Sequence, residues 1–162
     1  MKSELQGLID ECTAEINDIE ARIAAMPPLD KAVRYLTHYA LIKASGTAEF
    51  VYRSIVADHF SRLSDSRIDT YLDAEIRRGP MSAKYEMMLK LLGKFDEQWK
   101  SNFQRAVQAR PDKDKLITAS NSLVTNRHSF AHGKAPTATF HDIKNYYFDV
   151  LELIKIFDSA VC

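Results

Sequence analysis

Apolar residues recur every three or four positions from one end of the chain to the other, and no stretch alternates apolar with polar as a half-buried strand would. Leu5, Leu8, Cys12, Ile16, Ile19 and Ile23 form one such stripe and predict a long amphipathic helix. Pro27 and Pro28 stop it, because neither has an amide to donate and the first is pushed out of the α region. A second helix is predicted from about Asp30 into the low sixties. Its middle, YALIKASGTAEFV, is apolar or small on nearly every side, the pattern of a central helix with close neighbours. Gly46 lowers helix propensity there and suggests a close backbone contact.

The remaining segments read the same way. Ser66 to Asp69 resembles a capping box opening a short helix with Ile68, Tyr71, Leu72 and Ile76, ended by Gly79-Pro80. Tyr85, Met88, Leu89, Leu92 and Phe95 make another face, extended by Trp99, Phe103 and Val107 to Pro111, with a break expected near Gly93. Asp112 is placed to cap a helix bearing Leu116, Leu123 and Val124, and Gly133 to end it as a left-handed C-cap. Thr139 with Asp142 opens the last helix, whose face is Ile143, Tyr147, Val150, Ile154, Phe157 and Val161. The expectation is an all-α bundle of about five to seven helices, forming one domain over residues 1–162.

Composition narrows the function. Twenty-two basic and 22 acidic residues give zero formal net charge, which argues against a general nucleic-acid coat protein and leaves room for a local basic site. The N-terminus lacks a signal-type apolar core and no apolar run reaches bilayer-spanning length. Cys12 and Cys162 lie at opposite ends without metal-ligand spacing, so reduced thiols in a cytoplasmic protein are the simplest reading.

Chemistry concentrates in Asn126 to Lys134, NRHSFAHGK, where three readings compete. Basic residues in a last helical turn can simply cap carbonyls and complement the dipole. His128 and His132, four apart, share a face as two zinc ligands must; however, Ser129 stands where a metalloprotease helix carries its glutamate base, and only His141 could fold back as a third ligand. The third reading is phosphoryl chemistry: Arg127 can grip phosphate as a fork, and His132 can move a proton near neutrality. RNA brings its own 2′-hydroxyl nucleophile, so proton transfer and charge stabilisation suffice. Arg127 and His132 are five apart, about 140° around an ideal helix. Either the helix distorts before Gly133 or the site is assembled between two chains.

Arg-x4-His followed by Gly, in SLVTNRHSFAHG, resembles the ribonuclease motif of HEPN domains, especially the RiboL-PSP type. The Ser45-Gly46-x-x-Glu49 helix, the segment LLGKFDEQWKSNF and the closing TATFHDIKNYYFDVLELIKIFDSAV are similar to the same family, so the likeness covers most of the chain. It implies an all-α HEPN-like bundle and a symmetric homodimer with metal-independent endoribonuclease activity, needing no cofactor. It also implies a toxin, or an effector of stress or antiviral defence, with RNA as substrate and an antitoxin or activating protein as a possible partner. Carried over, Arg127 would bind the scissile phosphate and His132 would act as acid or base or orient the 2′-hydroxyl. Asn126, His128 and Glu49 would be auxiliary; His128 stands where the family commonly has Asn. Glu49 could pair with Arg53 one helical turn on, or be a buried carboxylate that orients Arg127. Adjacent Arg77 and Arg78 read as ordinary surface charge. The rival function is a non-catalytic helical dimer, a binding or regulatory module on the same scaffold.

Overall fold

The computed structural model describes residues 1–27, 29–61 and 65–161, and all its regular structure is helical. In order, α1 spans Ser3–Ala24, α2 Lys31–Ser61, α3 Ser66–Tyr71, α4 Tyr85–Phe95, α5 Glu97–Gln108, α6 Lys113–Ala131 and α7 Phe140–Ala160; a π-helical segment, Leu72–Arg77, continues α3. The expected all-α bundle is what forms. Pro28 and Cys162, named above as a helix stop and a free thiol, lie outside the described residues, as does any extension of α2 past Ser61.

Helix α2 is the axis of the bundle. Its 31 residues run for about 46 Å at the standard rise, and it packs on α1, α6, α7, α3 and the π segment. Ala40, Ala44 and Ala48 put small side chains on one face, which lets neighbouring backbones come close, while Leu41, Val51, Tyr52, Ile55 and Val56 fill the core beside them. One apolar cluster draws on every helix except α3. Within it Tyr52 and Phe103 both meet Phe157 edge-on, with centroids 5.7 and 5.4 Å apart.

Several local expectations shift. Leu8 is exposed and Ile9 is buried in its place, because Leu5, Ile9, Cys12, Ile16 and Ile19 alternate steps of four and three and stay on one face. Asp65, not Ser66, caps α3 by accepting from the Arg67 and Ile68 amides. The break expected near Gly93 falls at Asp96, whose carboxylate accepts from the Gln98 and Trp99 amides and so starts α5. Asp112 makes no cap hydrogen bond; its two oxygens accept from the Arg110 guanidinium instead, at 2.8 Å each. Gly46 was expected to touch another backbone, yet it is exposed and nothing lies within 4 Å of where its Cβ would be. The Thr139–Asp142 capping box forms as expected.

Candidate active site

Helix α6 stays regular through Ala131, so the helix does not distort to bring Arg127 and His132 together. It ends in a Schellman arrangement: the Lys134 amide donates to the Ser129 carbonyl at 2.9 Å and the Gly133 amide to Phe130 at 3.0 Å. Gly133 takes φ +74°, a left-handed conformation that carries a steric cost for any residue with a Cβ. The segment beyond is fastened by Asn126. Its side-chain nitrogen donates to the Ser122 carbonyl, and its oxygen accepts from the Thr137 and Ala138 amides at 2.9 and 3.0 Å and from the Thr137 hydroxyl. Both ends of this buried amide are occupied, so Asn126 braces the site rather than facing it.

Arg127 points across to α2. Its Nη2 donates to Glu49 Oε2 at 2.7 Å, joining residues 78 positions apart. The alternative pairing does not form: Arg53 Nε donates to the backbone carbonyl of Glu49 at 2.7 Å, not to its carboxylate. Glu49 is 6% exposed, and among the described residues its Oε1 has no hydrogen-bond partner within the usual geometry. Burial pushes the carboxyl above its ordinary range, opposed by the positive charges of Arg127 and Arg53. Arg127 is thus held in one direction by a buried group, while 36% of its side chain remains exposed.

This pair lies in a cleft of about 480 Å³ between α2, α6 and the turn that follows the π segment. The turn has no regular structure, so its carbonyls need partners, and α2 and α6 supply them. Arg53 Nη1 donates to Gly79, the Tyr52 hydroxyl to Met81 and Ser82, and the Ser120 hydroxyl to Ala83. Arg78, Met81 and Met87 line the cleft with Arg53, Arg127 and His128. Sequence reasoning passed over Arg53 and Arg78 as site residues. Arg77, read as surface charge, is instead half-buried and donates to Asp58 at 2.5 Å.

His132 is exposed and is not among the residues lining the cleft; it meets His128 edge-on, with ring centroids 4.3 Å apart. His128 is therefore the link between the Arg127 cleft and His132. His38 packs on Phe130 at 4.5 Å, tying the end of α6 to α2, and its pKa is lowered by burial and by Arg34. His141 lines a different groove, beside His38. Among the described residues no group of three or more His, Cys, Asp or Glu is placed to hold a metal ion, so the two-histidine face acquires no third ligand. Likewise among them, no helix is long and apolar enough to cross a membrane.

A family model described as RiboL-PSP-HEPN matches residues 8–162. No curated protein and no solved structure matches the chain.

Proposed function

Because the chain belongs to the RiboL-PSP-HEPN family, we propose that it is a metal-independent endoribonuclease that works as a homodimer in toxin-type or defence and stress responses. The observation that carries this reading is Arg127 clamped at 2.7 Å by the buried Glu49 in the lining of a cleft, next to the His128–His132 pair. A guanidinium aimed by a buried carboxylate is suited to stabilise a phosphorane-like transition state. In the proposed reaction the RNA 2′-oxygen forms a bond to phosphorus as the bond to the 5′-oxygen breaks. The proton leaves the 2′-hydroxyl and another reaches the 5′-oxygen, giving a cyclic phosphate and a 5′-hydroxyl. His132 serves in one of these transfers.

Two features support a site shared between copies. Within one chain Arg127 lines the cleft and His132 does not. Helix α2, which carries Glu49, also bears an exposed stripe of Tyr35, Tyr39, Ile42 and Phe50 with Gly46 between the last two. These residues advance by four, three, four and four, so they occupy one face, and the open glycine would let a second α2 approach closely. The position of His132 also leaves room for the rival, a non-catalytic dimer that binds or regulates. In the ribonuclease reading an antitoxin or activating protein would be the functional partner.

The test is RNA cleavage by wild type, Arg127→Ala and His132→Ala, with chelator present throughout. Each variant alone is expected to lose at least a hundred-fold in rate. Mixed and allowed to exchange subunits, the two are expected to regain roughly a quarter of wild-type activity, because each heterodimer rebuilds one complete site. Folded wild-type dimer that cleaves no RNA would establish the non-catalytic reading. Variants that lose activity singly but stay dead when mixed would place the whole site within one chain.

A further inference from the structure

The cleft holds more positive charge than the motif accounts for. Glu49 is one carboxylate between two guanidinium groups, Arg127, which it bonds, and Arg53, whose charge it also feels. Arg53 is 9% exposed, and no carboxylate among the described residues pairs with it. Its Nε and Nη1 are used by the Glu49 and Gly79 carbonyls. A buried cation balanced only by carbonyls and a shared carboxylate is costly, and an anion entering the cleft would offset that cost. The excess lies within a chain of zero net charge, which makes it a local feature.

Arg78 adds to it by an unusual route. In the π segment the Arg78 amide donates to the Asp73 carbonyl, five residues back, at 3.0 Å. Neighbouring residues of any helix point to different sides, and here Arg77 turns inward to Asp58, whereas Arg78 lines the cleft with 76% of its side chain exposed, paired to Asp73 at 3.1 Å. Gly79 then reverses the chain so tightly that a Cβ there would lie 2.1 Å from the Glu75 carbonyl oxygen. That reversal presents the Gly79 carbonyl to Arg53. Pro80, Met81 and Met87 also line the cleft, an apolar surface that a bare inorganic anion would not use. A base with a phosphate attached would use both, and the cleft volume is in the range of small-molecule sites.

We propose that this cleft seats a nucleotide beside the one that is cleaved, with Arg53 and Arg78 on its phosphate and Pro80, Met81 and Met87 against its base. The proposal rests on the ribonuclease reading. It assigns substrate-binding roles to a turn and two arginines outside the Arg-x4-His motif.

The test is fluorescence anisotropy of the full chain with a labelled single-stranded 2′-deoxy oligonucleotide, which lacks the attacking hydroxyl, titrated over a range of salt. Arg53→Gln is expected to bind at least ten-fold more weakly and Arg78→Ala about three-fold. Each should reduce the slope of log affinity against log salt by about 0.7, the value for one phosphate contact on a single strand. Arg53→Lys, which keeps the charge and loses the fork, should fall between wild type and Arg53→Gln. Arg53 also anchors the turn, so Arg78→Ala, at an exposed position, keeps the test decisive should Arg53→Gln fold poorly. Unchanged affinity and slope in Arg78→Ala, with wild type still cleaving RNA, would overturn this subsite and leave the nuclease standing. Arginine-dependent binding by a protein that cleaves no RNA would instead overturn the nuclease and leave the anion cleft.

Discussion

Replacing Glu49 by glutamine separates the two things its carboxylate does. The substitution keeps the volume of a 6%-exposed side chain and an oxygen able to accept from Arg127, and removes only the charge. Arg127 keeps its charge, so a glutamine oxygen still accepts a charge-assisted bond; what is lost is the ion-pair attraction, about 0.5–1 kcal/mol. The lower end applies because Arg127 is 36% exposed. Against this, burial holds the carboxyl pKa up, so ionised Glu49 costs folding energy at neutral pH, and glutamine relieves that cost. The two effects oppose each other, and Glu49→Gln should be within about 1 kcal/mol of wild type at pH 7. Glu49→Ala cancels nothing: it leaves Arg127 unpaired beside a void and should lose about 2–4 kcal/mol. The pH dependence follows from the sign of the shift. A folded-state pKa above the unfolded one gives stability that is fully present below the ordinary glutamate range, near the reference 4.5, and is lost as pH rises through the raised folded value. Wild type should therefore gain on Glu49→Gln as pH is lowered through that window. Urea unfolding followed by far-ultraviolet circular dichroism at a series of pH values measures this directly. Cleavage should nevertheless fall about ten-fold in Glu49→Gln, the equivalent of about 1.4 kcal/mol of lost aim on Arg127. Equal destabilisation by glutamine and alanine, with a gap from wild type that ignores pH, would refute the account.

Two further perturbations probe the brace and the shared face. Asn126→Ala removes an acceptor from two backbone amides and a hydroxyl, so a loss of about 2–4 kcal/mol is expected, or about 4–16 °C in Tm. A variant within about 0.5 kcal/mol of wild type that still loses cleavage would restore Asn126 to the site itself. Ile42→Asp alters a residue 43% exposed in the isolated chain, so monomer stability should change by less than about 0.5 kcal/mol. Sedimentation equilibrium should show the dimer weakened at least ten-fold, and an unchanged dimer would move the interface off this face.

How much of this was legible in the sequence depends on the range of the physics involved. The helices, the Gly133 terminus and the Thr139–Asp142 box are local: period, cap chemistry and backbone freedom sit within a few residues and can be read off them. Glu49 and Arg127 were legible by a different route, since a carboxylate amid apolar neighbours demands a partner, although only the bundle decides between Arg53 and Arg127. Asp112 shows where local reading fails, because a nearby arginine can outbid a helix terminus for the same carboxylate. The cleft is harder still. Arg77 and Arg78 are adjacent, equally charged and flanked alike, and nothing in a one-dimensional pattern distinguishes an inward ion pair from a cleft-lining cation. The distinction comes from Asp58 on α2, which takes Arg77 inward, and from a glycine whose constraint is a carbonyl four residues back. The proposed catalytic pair therefore rests on a motif readable in one helix. The positive charge around it depends on how an irregular turn is tied to α2 and α6, so substitutions at Gly79 or Arg53 should alter substrate binding while leaving Arg127 and His132 in place.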